Sequence, residues 1–175
     1  MVKKILAVTI ILLAIIFIVV ILSNSYEEPL EHVMVDSYGQ PMIDFELNNT
    51  DSKLYSVTSD SGKPKLLNFW TSWCQYCKEE AEHLNEIYSN YKDDLEIVSI
   101  NLTSSDNKEE AMDFIKKYNF EFPILLDYEG TIASQYRITA IPTNYFVNSD
   151  GTIKAITYNL TTSNSKNLIE ELIRK

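Results

Sequence analysis

Apolar and polar positions divide the chain into three stretches. From Ile5 to Leu22 eighteen apolar or small residues follow one another without a charge, and at about 1.5 Å per helical residue that length is close to a bilayer core. The pattern predicts a membrane anchor over residues 1–22. A cleaved signal peptide competes with it, because Ser23-Asn24-Ser25 resembles a cleavage site, although the apolar region of such a peptide is usually shorter. Residues 23–40 are polar, acidic and broken by Pro29, with no sustained period, which reads as a tether. Residues 41–175 carry the periodic patterns of one globular domain.

Within that domain Ile43, Phe45 and Leu47 alternate with Asp44 and Glu46, and turn residues from Asn48 to Ser52 precede Leu54 to Val57, predicting a β-hairpin at an edge. Lys65 to Trp70 is a short apolar run of the length of a buried strand. From Ser72 to Tyr91 the apolar positions Cys77, Ala81, Leu84, Ile87, Tyr88 and Tyr91 recur at three and four, marking one face of a helix. Leu95 to Leu102 predicts a strand, and Ser105 or Asp106 can cap a helix running to Tyr118 with Ala111, Phe114 and Ile115 inward. Phe122 to Leu126 predicts another strand and Gly130 to Tyr136 a brief helix. Thr143 to Val147 and Thr152 to Tyr158 flank Asp150-Gly151, a hairpin signal between β-rich runs. Ser163 or Asn164 can cap a closing helix with Leu168, Ile169, Leu172 and Ile173 on one stripe. Alternating elements followed by a hairpin and a helix predict an α/β domain with a mixed central sheet.

Composition changes this picture in two places. The content is 45% hydrophobic and 23% charged, with a net charge of −10, which disfavours nucleic acid as a partner, because phosphate binding needs clustered Lys and Arg. Lys3 and Lys4 precede the apolar span while Glu27, Glu28 and Glu31 follow it. The positive-inside rule then places the domain on the outer, oxidising face of the cell membrane as a single-pass protein.

The candidate chemistry lies in Cys74 and Cys77, the two cysteines of the chain. A disulfide across a two-residue gap closes almost no loop and stabilises little, which favours a redox role. The pair falls where a buried strand gives way to a helix. Residues three apart at a helix start have neighbouring side chains, and the helix dipole favours a thiolate on the first sulfur. Cys74 is therefore the expected attacker and Cys77 the resolving thiol. A zinc site is the alternative, but a closed site needs four ligands, and His32 and His83 have no ligand-like spacing, so no metal is expected.

The run Leu66-Leu67-Asn68-Phe69-Trp70-Thr71-Ser72-Trp73-Cys74-Gln75-Tyr76-Cys77-Lys78-Glu79-Glu80, with Ile138-Thr139-Ala140-Ile141-Pro142-Thr143 and a later Asp150-Gly151, resembles the thioredoxin superfamily, and within it the TlpA/ResA-like extracytoplasmic thiol-disulfide oxidoreductases. The resemblance extends from about Pro41 to the end. It implies a thioredoxin fold with an N-terminal β-hairpin and a central insertion over Asn101 to Leu126, and a cis Pro142 lying against the cysteines. It also implies a substrate surface formed by Trp73, Ile141 and Pro142, with the backbone of Ile141 docking the substrate strand. Asn68 stands where cytoplasmic thioredoxins carry a buried Asp, and the resemblance assigns proton transfer to Glu80, for which a solvated helix glutamate is the plain alternative. Tyr76 departs from the family's common proline before the second cysteine, which leaves the potential open. The implied function is reduction of disulfides in exported proteins, as in apocytochrome c maturation or spore envelope assembly. Electrons would come from a membrane thiol carrier of CcdA type, with no cofactor beyond the Cys74–Cys77 disulfide. A peroxiredoxin-like peroxidase and a non-catalytic binding domain are the alternatives.

Overall fold

The structure is a computed structural model that describes residue 9 and residues 11–20, 38–161 and 163–174. The chain divides into two units, residues 1–32 and 33–175. In the first, residues 11–20 are helical and exposed. Among the described residues no helix is long and apolar enough to cross a membrane. The two ends of the span expected from Ile5 to Leu22, and the tether up to residue 37, lie outside the described residues.

The second unit has a five-stranded sheet of order β5-β4-β3-β6-β7. Its strands are β3 (Lys65–Trp70), β4 (Glu96–Asn101), β5 (Ile124–Leu126), β6 (Thr143–Val147) and β7 (Ile153–Thr157). β3, β4 and β5 run parallel, and β6 and β7 are antiparallel to their neighbours. Parallel neighbours need crossovers, which α1 (Gln75–Tyr91) supplies between β3 and β4 and α2 (Lys108–Tyr118) between β4 and β5. Every residue of β3 is buried, as expected of a central strand covered on both faces.

Side chains of a strand alternate between faces, so β3 splits its residues between two cores. Leu66 and Trp70 join Ile97, Phe146, Ala81, Leu84, Ala111, Phe114, Ile169 and Leu172 on the side covered by α1, α2 and α4 (Ser163–Ile173). Leu67 and Phe69 join Val98, Ile100, Phe45, Val57, Tyr136 and Tyr145 on the other. That second face is closed by α3 (Thr131–Gln135) and by a separate hairpin, β1 (Phe45–Asn48) with β2 (Leu54–Val57).

One local expectation is placed more closely and two are corrected. The hairpin, expected at an edge, is a two-stranded sheet of its own that meets the main sheet at the edge strand β5. Pro41 bridges to Thr152 beside β7 and Asn49 bridges to Leu125 in β5, so this segment crosses one face from edge to edge and buries Phe45 and Val57 beneath it. The first helix begins at Gln75 rather than Ser72, because Cys74 keeps an extended backbone (φ −71°, ψ 121°) as its N-cap. The second is capped by Asn107, whose Oδ1 accepts from the Glu110 N–H at 3.1 Å. Ser105 closes a 3-10 turn (Thr103–Ser105), and Asp106 is engaged elsewhere. The side chains of Ser163 and Asn164, expected as caps of α4, lie outside the described residues.

Candidate active site

β3 ends at Trp70, at the carboxyl end of the central strand, and Thr71 to Trp73 turn the chain into α1. The Cys74 N–H donates to the Thr71 carbonyl at 3.4 Å, and the Cys74 Sγ accepts from the Cys77 N–H at 3.2 Å. The first sulfur therefore takes the capping role that Ser or Asp usually fills, at the positive end of the helix. Both cysteines are free thiols, with Cys74 5% and Cys77 3% exposed. The Cys74 thiol donates to the Ile141 carbonyl at 3.6 Å, and the Ile141–Pro142 peptide is cis. The loop before β6 thus faces the redox pair, and Ile141 offers its backbone beside Cys74. Trp73 is 57% exposed and Tyr76 67%, leaving two large rings at the surface around a nearly covered sulfur.

The turn before Cys74 is held from the side. Asp106 accepts from the Ser72 N–H and hydroxyl, both at 2.6 Å, from Asn101 Nδ2 at 2.7 Å and from the Asn107 N–H at 2.8 Å. The Trp73 indole N–H donates to the Ser105 carbonyl at 2.9 Å.

Glu80 lies on the inner face of α1 and is 2% exposed. Its carboxylate accepts from Asn68 Nδ2 at 3.0 Å, from Asn144 Nδ2 at 3.3 and 3.4 Å and from the Leu160 N–H at 3.0 Å. Burial pushes its proton affinity up to about 7, against the pull of these donors. Burial also raises the Cys77 thiol far above its ordinary range, helped by its hydrogen bond with Cys74 and opposed by one from the Thr71 backbone. The charges of Cys74 and Glu80 raise it further. A thiol held this firmly in its neutral form reacts only when a nearby base takes its proton.

The structure therefore brings Trp73, Cys74, Ile141 and Pro142 to one place and puts Cys77 and Glu80 beneath them. Asn144, Ser99 and the Leu160 N–H were not singled out from the sequence, and Asp106 was read there only as a helix cap. A signal existed for two of them, since Ser99 interrupts the apolar run Ile97, Val98 and Ile100, and Asn144 directly precedes Tyr145, Phe146 and Val147. His83 lies 3.8 Å from Glu86 on the exposed side of α1, and among the described residues no group of three or more His, Cys, Asp or Glu could hold a metal.

Residues 38–156 match the AhpC/TSA family. The chain belongs to that family. It is 34% identical over 119 residues to the thioredoxin-like protein YneN of Bacillus subtilis, covering 67% of this chain and 69% of the relative. It is 32% identical over 129 residues to the thiol-disulfide oxidoreductase ResA of the same organism, covering 73% and 71%. The crystal structure of StoA from Bacillus subtilis superposes with a TM-score of 0.63 at 30% identity, covering 75% of this chain and 97% of that one. The fold is a thioredoxin fold, and the enzyme class is thiol-disulfide oxidoreductase.

Proposed function

We propose that the reduced chain cleaves disulfides in exported proteins through a Cys74/Cys77 cycle. The observation that carries this reading is the layout of the site, with Cys74 capping α1 beside the Ile141 carbonyl, and Cys77 and then Glu80 buried on the inner side of the same helix at a spacing of three residues. Cys74 as thiolate attacks one substrate sulfur, a mixed disulfide forms and the other substrate sulfur leaves as a thiolate. Cys77 passes its proton to Glu80 and attacks the Cys74 sulfur, releasing the second substrate thiol and leaving a Cys74–Cys77 disulfide. Two electrons from a membrane thiol carrier of CcdA type restore the dithiol. Trp73, Ile141 and Pro142 form the surface that receives the substrate segment, with Ile141 offering its backbone once Cys74 turns from its carbonyl.

The apolar run from Ile5 to Leu22, with Lys3 and Lys4 before it, supports a single-pass anchor that holds the domain on the outer face. Apocytochrome c awaiting haem, or proteins of the spore envelope, are the proposed substrates.

Cys77→Ser in the full chain, expressed in cells, tests the cycle. Mixed disulfides on Cys74 with exported proteins are the expected product, identified by mass spectrometry. Their absence would overturn the exchange mechanism, and a reduction potential near that of a strong oxidant, about −120 mV, would overturn the reducing direction. Rapid peroxide consumption abolished by Cys74→Ser would instead favour a peroxidase.

A further inference from the structure

Ser99, Asn68 and Asn144 stand side by side on three adjacent strands. Asn68 is the direct partner of Ser99 across β3 and β4 and of Asn144 across β3 and β6. All three are at most 1% exposed, and they form a polar row on a sheet face whose other members include Leu66, Trp70, Ile97 and Phe146. Burying three uncharged polar side chains in such a face costs free energy unless each finds partners.

The hydrogen bonds run in one sense. The Ser99 hydroxyl donates to Asn68 Oδ1 at 2.9 Å, and Asn68 Nδ2 donates to Asn144 Oδ1 at 2.8 Å. Both amide oxygens are thereby occupied within the row, and both amides turn only N–H groups toward Glu80. The Leu160 N–H completes the set from the segment before α4. Glu80 thus meets amide donors from β3, from β6 and from that segment. On its own helix the titratable group that feels it is Cys77, one turn earlier. A carboxylate surrounded by donors is stabilised as an anion, which opposes the effect of burial.

We propose that Ser99, Asn68 and Asn144 are positioning residues that set the pH at which Glu80 exchanges a proton with Cys77. Ser99 holds the Asn68 amide with its oxygen away from Glu80, and Asn144 supplies a second fixed donor. Without the row, depth alone would keep Glu80 neutral at physiological pH and unable to take the Cys77 proton. This inference rests on the role of Glu80 given under the proposed function and adds the residues that tune it.

The test is a carbon-13 NMR titration of the Glu80 carboxyl in the reduced full chain in detergent, comparing wild type with Asn144→Ala, Ser99→Ala and Ser99→Thr. Loss of the Asn144 donor raises the midpoint by about one pH unit, a roughly tenfold gain in proton affinity. Ser99→Ala raises it by roughly threefold in affinity, and Ser99→Thr, which keeps the hydroxyl, restores the wild-type value. The acidic limb of the pH profile for resolving a preformed Cys74 mixed disulfide moves with the midpoint. An unchanged midpoint in folded Asn144→Ala and Ser99→Ala proteins overturns the proposal, and if Asn144→Ala fails to fold, Ser99→Ala with its Thr rescue decides alone. If the midpoint moves while Glu80→Gln resolves the mixed disulfide with the wild-type pH profile, the row does tune Glu80, and what falls is the proton-transfer role assigned to Glu80.

Discussion

Burial gives the Glu80 carboxyl a pH dependence that an exposed glutamate lacks. Glu80 holds its proton to about pH 7 in the folded chain, against 4.5 for an ordinary glutamate. The folded state therefore prefers the neutral carboxyl. Its stabilising contribution is complete below about pH 4.5 and is lost as pH rises through 7, a change of about 3 kcal/mol. Urea unfolding of the reduced protein between pH 4.5 and 8 should show the stability of wild type falling by about 3 kcal/mol across that window, with that of Glu80→Gln, which has no carboxyl to titrate there, flat over the same range. In exchange assays the same substitution acts on the rate. Glu80→Gln removes the base beneath Cys77, and stopped-flow release of the mixed disulfide should slow by about 100-fold at neutral pH, with formation of that disulfide little changed. The residue type and its spacing from Cys77 were readable in the chain. Its partners were not, because Asn144 and Leu160 are 64 and 80 positions away, and only the sheet register and the closing loop bring them to it.

At the scale of elements, turns and caps decide where the site stands. Gly151 follows Asp150 in the β6–β7 hairpin with φ +82°, and an added Cβ would come within 2.6 Å of the Ser59 Cβ and 2.8 Å of its carbonyl oxygen. Both the dihedral and the contact exclude a side chain. Gly151→Ala should lower the unfolding free energy by about 2 kcal/mol in urea titrations. The Asp-Gly dipeptide announced this hairpin, since its conformational preference is local. Asp106 shows the opposite case. It reads as a helix cap, and Asn107 takes that place because Asp106 is drawn to Ser72 and Asn101. Asp106→Ala leaves the Ser72 N–H and Asn101 Nδ2 without their acceptor and should cost about 2 kcal/mol in unfolding experiments. It should also loosen Trp73, read as a changed indole fluorescence and a higher KM for a protein disulfide. The hairpin β1–β2 was readable as a hairpin, whereas its place across a sheet face depends on which apolar surface α3 leaves uncovered.

For the whole molecule, the apolar run near the start and the redox domain are separate units in the chain, which makes their contributions separable. Removal of residues 1–37 should leave insulin reduction within about twofold of the full chain, because both cores and the site lie beyond that point. The same truncation should shift the protein from the membrane to the soluble fraction on cell fractionation, as proposed for an anchor over Ile5 to Leu22. Alternation of apolar positions, turn dipeptides and the Cys74–Cys77 spacing are properties of neighbouring residues, so the sequence by itself determined the order of strands and helices and the placement of the two sulfurs at a helix start. Three things were left to the tertiary structure: the row of Ser99, Asn68 and Asn144, the approach of Ile141 to Cys74, and the depth of Glu80. Each joins residues distant in the chain through sheet pairing and helix packing, and the energies involved, desolvation against hydrogen bonding, exist only once the core has closed around them.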